Sequence, residues 1–440
     1  MSKKHASFKR RGVRTKVGPI CGLIALAVIP AAVIPAAAQQ SSDDFRYMTV
    51  LQRPREDYDP KGIPVGAGFR FLPSLEVAES YTDNLYATET DKVSDYQTSI
   101  SPKLELKSNW SRHSLSVSGY ADIHRYLDRT TEDHDNYGGE GSLGLELGGG
   151  GSFGLTGGYD HTTVPRGDPE ERSRLASGLV IAPEVVDVTH ARAEWGQQFS
   201  FLLLGARAEL LQFAEEASSD RDKDRSEYTA AFRVGYVFSP ALNAFVEPTY
   251  TRRDFDLAVD FGGINRDSEV MGINAGVAYD ITGLLYGETK VGWYRAGFAD
   301  PRIKTSSGVS IESKTTWNVT ARDTFIFQVS RKNIVTNDPG SSSRVQTGGE
   351  VEYQHELLRN VILQAKASYY NDDFLNDGAF ATAGAPRREE DTISGTLRGD
   401  YYFNRYLSFY LSYAYTKLDS TIAGDSYKEN LVMIGIHTHI

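Results

Sequence analysis

Cysteine is all but absent from this sequence, whose single example, Cys21, lies near the amino terminus. No structural disulfide and no thiolate metal site can therefore form in the rest of the chain. Beyond residue 38 the sequence also lacks an apolar stretch of the roughly 20 residues that a membrane-spanning helix requires. If the remaining chain crosses a membrane, it must do so with strands.

The first 38 residues have the order of a secretory signal peptide. Met1–Val17 carries seven Lys or Arg residues and no acid, Pro19–Val33 is apolar, and Ala36–Ala38 supplies small residues for cleavage. The apolar run is short and interrupted by proline, which argues against a membrane anchor. We expect residues 1–38 to be a signal peptide that is removed after Ala38.

The charge of the remaining chain is strongly negative. The whole sequence has a formal net charge of −11, and because the predicted signal carries +7, the rest carries −18. Nucleic acid is a poor partner for a protein of this sign. Tyrosine is abundant, with 25 residues, and membrane barrels place tyrosine at the two lipid–water interfaces.

From Phe69 to the end, segments of about ten to fourteen residues alternate strictly between two kinds of side chain. In Leu407–Thr416, for example, large hydrophobic residues occupy the odd positions, and the even positions are mostly small or polar. A period of two sends successive side chains to opposite faces of a sheet. The segment length fits a tilted strand that crosses a bilayer.

The connections between these segments alternate between short and long. Eight short and nine long ones join 18 strands, with 16 as the alternative count. This pattern predicts an all-β fold, a single transmembrane antiparallel up-and-down β-barrel over residues 67–440, with short periplasmic turns and long extracellular loops. Both termini are then periplasmic, and residues 39–66 form a periplasmic amino-terminal segment or a plug.

The carboxyl-terminal strand supports this prediction. Hydrophobic residues alternate from Val432 to Ile440, and Gly435 lies five positions before the end. The pattern is similar to the signal that the barrel-assembly machinery reads, although it ends in Ile440 and not in an aromatic residue, and Thr438 replaces a hydrophobic residue. We therefore expect that machinery to be a partner, together with outer-membrane lipid and lipopolysaccharide.

Three motifs near the start of the barrel resemble a known family. They are Arg53-Pro54-Arg55-Glu56-Asp57-Tyr58-Asp59-Pro60-Lys61-Gly62-Ile63, Phe71-Leu72-Pro73-Ser74-Leu75-Glu76 and Tyr81-Thr82-Asp83-Asn84-Leu85-Tyr86. This arrangement resembles the putative outer-membrane β-barrel porin family, common in alphaproteobacteria. The resemblance implies an outer-membrane pore with exopolysaccharide export as its role, which would require exopolysaccharide and periplasmic export proteins as partners.

Lipid requires the apolar face of each strand outside, so the polar face must line the lumen. Acids and bases alternate on that face, which argues against a pore of strong anion or cation selectivity. The residues predicted to line the lumen are Arg192, Glu194, Arg207, Glu209, Arg233, Glu247, Glu288, Lys290, Glu312, Lys314, Arg344, Glu350, Lys366, Arg398 and Asp400.

The longest connection, Val164–Val186, is the predicted constriction loop. Its charged residues are Arg166, Asp168, Glu170, Glu171, Arg172 and Arg174. Aromatic residues on the predicted lumen face would suit sugar rings, and these are Tyr120, Tyr286, Tyr294, Tyr370, Tyr402 and Tyr410.

No pattern of catalytic residues stands out, and we expect no enzyme activity, no cofactor and no dedicated metal site. Asp220–Asp224 has alternate carboxylates but lacks the glycine and distal glutamate of a calcium loop. Three functions stay open: a conduit for exopolysaccharide export, a general diffusion porin, and a structural or adhesive barrel with acidic surface loops.

Overall fold

The computed structural model of the protein describes residues 46–66, 68–176, 182–217, 220–336, 340–375 and 387–440, so the predicted signal peptide lies outside the described residues. The strands are β1 Ile63–Val65, β2 Phe69–Thr82, β3 Asp95–Ser108, β4 Ser114–Tyr126, β5 His134–Glu146, β6 Ser152–Thr163, β7 Val185–Phe199, β8 Leu202–Glu215, β9 Arg225–Ser239, β10 Leu242–Phe255, β11 Ser268–Ile281, β12 Leu285–Phe298, β13 Ser306–Thr320, β14 Asp323–Val335, β15 Ser343–Leu358, β16 Val361–Leu375, β17 Glu389–Asn404, β18 Leu407–Ser420 and β19 Tyr427–His439. The helices are α1 Pro169–Ala176 and single 3₁₀ turns at Val50–Gln52, Thr130–Glu132, Gly148–Gly150 and Arg221–Lys223. None of these helices has the length and apolar character needed to cross a membrane.

The strands form a closed barrel. Each strand from β2 to β18 pairs antiparallel with the next one, and β19 pairs with β2 from Leu431 opposite Thr82 to His439 opposite Ser74. The predicted count of 18 strands is confirmed. At a spacing of about 4.8 Å and a tilt of about 40°, 18 strands enclose a backbone cylinder roughly 35 Å wide.

The connections divide the barrel into two different ends. Eight connections of two to five residues lie at one end, which we call the short-turn end. Nine connections of six to 21 residues lie at the other, the long-loop end. The alternation predicted from the sequence is therefore present, and the short strand β1 extends the edge of β2 at the short-turn end.

The two faces of the sheet differ as the period of two requires. Leu397, Leu411 and Ile434 point outward and keep 58–60% of their surface exposed. Asp400 and Tyr410, on strands of the same sector, point inward and are buried. An apolar outer face and a polar inner face suit a barrel in a membrane that encloses water.

Aromatic side chains lie near both edges of the outer face. In β9, Tyr228 lies towards the long-loop end and Phe238 at the short-turn end, and both are exposed. Ten residues of tilted strand separate them, which corresponds to roughly 25 Å along the barrel axis. That is the height of the apolar band that a bilayer demands of such a barrel.

The seam between β19 and β2 contains a small buried cluster of Ala78, Tyr410 and Met433. The Tyr410 hydroxyl donates a 2.7 Å hydrogen bond to Glu76 Oε1 on β2. Tyr410 lies flat against Gly435, where an added Cβ would be 2.4 Å from the ring. Gly435 is therefore a position that only a residue without a side chain can occupy unless Tyr410 moves.

We expect Gly435→Val to displace Tyr410, break its bond to Glu76 and destabilise the seam by about 1–3 kcal/mol, the usual cost of overpacking. The barrel should unfold at a lower temperature, as measured by the heat-dependent shift in gel mobility. Gly141→Val is the matched control, because nothing lies within 4 Å of an added Cβ there. Equal unfolding temperatures of the two variants would contradict this role of Gly435.

Candidate functional site: the lumen and its two mouths

The inner wall of the barrel is lined with charged side chains of both signs. The structure places every residue of the predicted lumen set on the inner face, alternating with outward apolar residues. The largest group joins four strands through Arg233, Glu247, Glu288, Lys290 and Glu312. Arg233 bonds to Glu247 and Glu288 at 2.7 Å each, and Lys290 lies 3.2 Å from both Glu247 and Glu312.

Smaller pairs repeat this arrangement elsewhere on the wall. They are Arg192–Glu194, Arg398–Asp400 at 2.9 Å, Lys366–Glu350 at 2.6 Å and Arg344–Asp372 at 3.5 Å. Because neighbouring charges of opposite sign largely cancel at a distance, this wall is polar without a field of one sign.

The short-turn mouth is partly covered from inside by residues 46–59, which we call the amino-terminal strap. Its backbone amides donate to groups at the ends of the strands: Tyr47 N to Gly283 O at 3.0 Å, Val50 N to Thr324 Oγ1 at 3.1 Å, and Leu51 N to Gln354 Oε1 at 3.1 Å. Val50 is buried against Ile362 and Tyr402. The strap thus follows the inner wall from the β11–β12 turn to β17.

Two arginines anchor the strap. Arg53 donates to the Ala321 carbonyl and, at 3.3 Å, to Asn318 Oδ1 in the β13–β14 hairpin. Burial lowers the pKa of the Arg53 guanidinium, and nearby carboxylates oppose that shift. Arg55 stacks 4.4 Å above the ring of Tyr402. Both arginines belong to the first motif on which the family resemblance rests, so that motif has a structural role at this mouth.

The long-loop mouth is crossed by residues 164–176 of the β6–β7 connection, which contain α1. Arg166 makes a two-bond contact with Glu132 of the β4–β5 loop, at 2.8 and 2.9 Å, and also pairs with Glu171. All three side chains are buried. Burial alone would lower the pKa of Arg166, but the bonds to Glu132 and Glu171 outweigh it and raise that pKa.

Arg172 ties the same connection to a distant part of the wall. It donates to Glu390 Oε2 on β17 at 2.7 Å and to the Asp425 carbonyl in the β18–β19 loop at 2.9 Å. Arg388 reaches the Pro169 carbonyl at 3.3 Å. Since β19 and β2 to β5 lie between β17–β18 and β6 on the wall, the connection crosses the mouth rather than remaining beside its own strands.

Asp168, another residue of the predicted constriction loop, lies directly before α1. The Asp168 carbonyl accepts the Arg172 backbone N–H at 2.9 Å at the start of α1. The side chains of Glu170 and Arg174 lie outside the described part of the structure. In the ranges that the structure covers, no three His, Cys, Asp or Glu side chains are placed to hold a metal ion.

Several tyrosines considered as sugar platforms are engaged by other parts of the chain. Tyr286 contacts the ring of Tyr47 at 5.7 Å between centroids, and the Arg55 guanidinium covers Tyr402. Arg398 lies 3.8 Å above the Tyr410 ring. Tyr402 and Tyr410 are buried, whereas Tyr286 is half-buried beside Tyr47.

Comparisons with known proteins match the chain to one family model and to several solved structures. The sequence model of a family described as putative beta-barrel porin 2 matches residues 55–439. No curated protein matches the sequence. The chain is similar in structure to OpdO of Pseudomonas aeruginosa (12% identity, 85% of this chain and 98% of that one, TM-score 0.45), OccAB4 of Acinetobacter baumannii (12%, 88% and 100%, 0.45) and OprD of P. aeruginosa (12%, 84% and 93%, 0.42). Because the sequence identities and TM-scores are this low, the substrates of those proteins cannot be assigned to this chain.

We expect Arg172→Met to loosen the β6–β7 connection at β17, because Arg172 no longer links it to Glu390 and to the Asp425 carbonyl. Arg388 remains as a partner of the buried Glu390, so the cost should stay below the about 3–5 kcal/mol of an unpaired buried charge. Single-channel conductance in a planar bilayer should rise. Arg252→Met is the control, since Arg252 forms an exposed pair with Asp254 near the long-loop end of β10. An unchanged conductance in the Arg172 variant would show that the connection does not limit the current.

Proposed function

We propose that this chain, which belongs to the putative beta-barrel porin 2 family and is thereby a porin-like channel of the outer membrane, conducts small polar solutes by diffusion. The proposal rests on one observation. At each end of a wide barrel, a segment of the chain crosses or covers part of the opening. A solute must pass the amino-terminal strap at one mouth and the β6–β7 connection at the other.

The mixed charge of the wall supports small hydrated solutes of either sign. A pore selective for one sign of ion uses a ring of the opposite sign. Here Arg233 and Lys290 are paired with Glu247, so neither sign dominates along this part of the wall. We therefore expect the channel to discriminate only weakly between cations and anions. The remaining preference would come from the few wall charges that are not fully compensated.

Polysaccharide export has less support. That role is implied only by the resemblance of the sequence motifs, whereas the family match supports a porin-like channel. A sliding sugar polymer would use uncovered aromatic faces along the lumen, whereas Tyr286, Tyr402 and Tyr410 are covered by other side chains. A polymer would also have to pass both the strap and the β6–β7 connection.

The test of this function is single-channel conductance with neutral polymers of graded size as partitioning probes. We expect the protein to conduct and to exclude probes far smaller than the roughly 35 Å backbone width would admit. Deletion of residues 46–59 should raise both the conductance and the size limit, because the strap then no longer occupies the short-turn mouth.

Because the deletion also shortens the chain, a double variant, Arg53→Met with Arg55→Met, keeps the chain length and removes only the anchors. Exchange of Arg112 and Arg129 for methionine is the matched control, since both are exposed basic residues outside the sector from β11 to β17 that the strap follows. Absence of any conductance in the native protein would favour a structural barrel, and passage of long polymers through it would favour export.

Charge selectivity gives a second test. Arg233→Gln should leave Glu247 and Glu288 with less compensation, so the reversal potential in a salt gradient should shift towards cation preference by a factor of a few in permeability ratio. Arg233→Lys keeps the charge and should keep the native ratio. If the glutamine variant keeps the native ratio as well, Arg233 does not face the conducting path.

A further inference from the structure

The outer face of the barrel ends differently at its two rims. At the short-turn end its exposed side chains include many aromatic ones, among them Phe199, Tyr236, Phe238, Trp317 and Phe403. At the long-loop end, charged pairs follow directly after the outward tyrosines. This difference concerns the surface that faces lipid and is independent of the lumen.

Three of these pairs form what we call the outer charged belt: Arg125–Asp135, Arg252–Asp254 and Lys417–Asp419. Their shortest N···O distances are 2.6, 2.8 and 2.5 Å. The basic side chains keep 48%, 54% and 33% of their surface exposed. All six residues point outward, away from the lumen.

The belt lies just beyond the tyrosines that mark the edge of the apolar band. Asp135 is two positions from Tyr137, Arg252 two from Tyr250, and Lys417 two from Tyr415, so each pair shares the outer face with a tyrosine. Charges are costly against hydrocarbon, and tyrosine marks the interface. The belt therefore lies at the depth of the lipid headgroups.

The chemistry of the belt fits a headgroup that carries phosphates and the divalent cations between them. Arg and Lys donate charge-assisted hydrogen bonds to phosphate oxygens. Aspartate oxygens are ligands that Mg²⁺ and Ca²⁺ accept. An exposed pair contributes little to stability by itself, so these side chains can exchange partners at low cost.

We propose that the outer charged belt binds lipopolysaccharide, the phosphorylated glycolipid of the outer leaflet. The assignment follows from the depth of the belt, its exposed cations and its adjoining carboxylates. It also orients the barrel: the long-loop end faces the outside, and the short turns, the strap and both chain termini face the periplasm. This assignment depends on the location of the barrel in the outer membrane and is independent of which solutes pass through the lumen.

The binding test uses the whole purified protein in detergent with Mg²⁺, titrated with rough lipopolysaccharide and followed by native mass spectrometry. The triple variant Arg125→Gln, Arg252→Gln and Lys417→Gln should bind about a hundredfold more weakly, at about fivefold per basic residue near an anionic lipid surface. The control triple Arg112→Gln, Arg322→Gln and Arg359→Gln removes the same charge from turns at the opposite end and should bind like the native protein.

Two results would overturn the assignment. One is equal loss of binding in both triple variants, which would reflect net charge alone. The other is equal affinity of the native protein for phosphatidylglycerol, which would make the belt a general site for anionic lipid. Heat-dependent gel mobility checks folding, which changes at exposed positions should leave intact.

The orientation is tested separately in intact cells with a membrane-impermeant maleimide. The chain has no cysteine beyond Cys21, so Val259→Cys in the β10–β11 loop and Arg359→Cys in the β15–β16 turn provide single labelling sites. We expect label at position 259 and none at 359. Label at 359 alone would place the long loops in the periplasm and remove the belt from the outer leaflet.

Discussion

The backbone hydrogen bonds that pair β19 with β2 are the interaction on which the remaining structure depends. Hydrocarbon offers no partner to an amide or a carbonyl, so a sheet in a membrane must close upon itself. Here closure continues beyond the paired strands, because the Gly62 amide donates to the Ile440 carbonyl at 3.1 Å. Once the sheet is closed, the period of two fixes one face to lipid and the other to water, and the charges inside follow from that division.

Charged residues at the mouths have a different structural role from charged residues on the wall. On the wall, pairs such as Lys366–Glu350 remain in contact with the lumen, since Lys366 keeps 37% of its side-chain surface exposed. At the long-loop mouth, Arg166 and Glu171 are buried, and such pairs persist only when their geometry satisfies each member. The buried pairs hold a connection in one place across the opening, whereas the wall pairs mainly keep the surface wet.

The sequence predicted the parts of the fold that repeat and missed those that do not. Strand number, antiparallel order, the alternation of short and long connections and the inward face of residues such as Arg233 all follow from period two and from turn spacing. The path of the strap does not, because Arg53 meets Asn318 at a separation of 265 residues. Likewise Arg172 meets Glu390 at a separation of 218 residues, and no local pattern of the β6–β7 connection indicates that partner.

The contacts of the strap are arranged in series along the rim. Tyr47 is held at the β11–β12 turn, Arg53 at the β13–β14 hairpin and Arg55 at β17. A tension applied to the amino-terminal end of the strap would therefore load these contacts one after another and not all at once. Each is of the order of a single hydrogen bond or stacking contact, about 1 kcal/mol, so the strap would peel under a small force, while the barrel, whose strand pairs must shear together, would resist a much larger one.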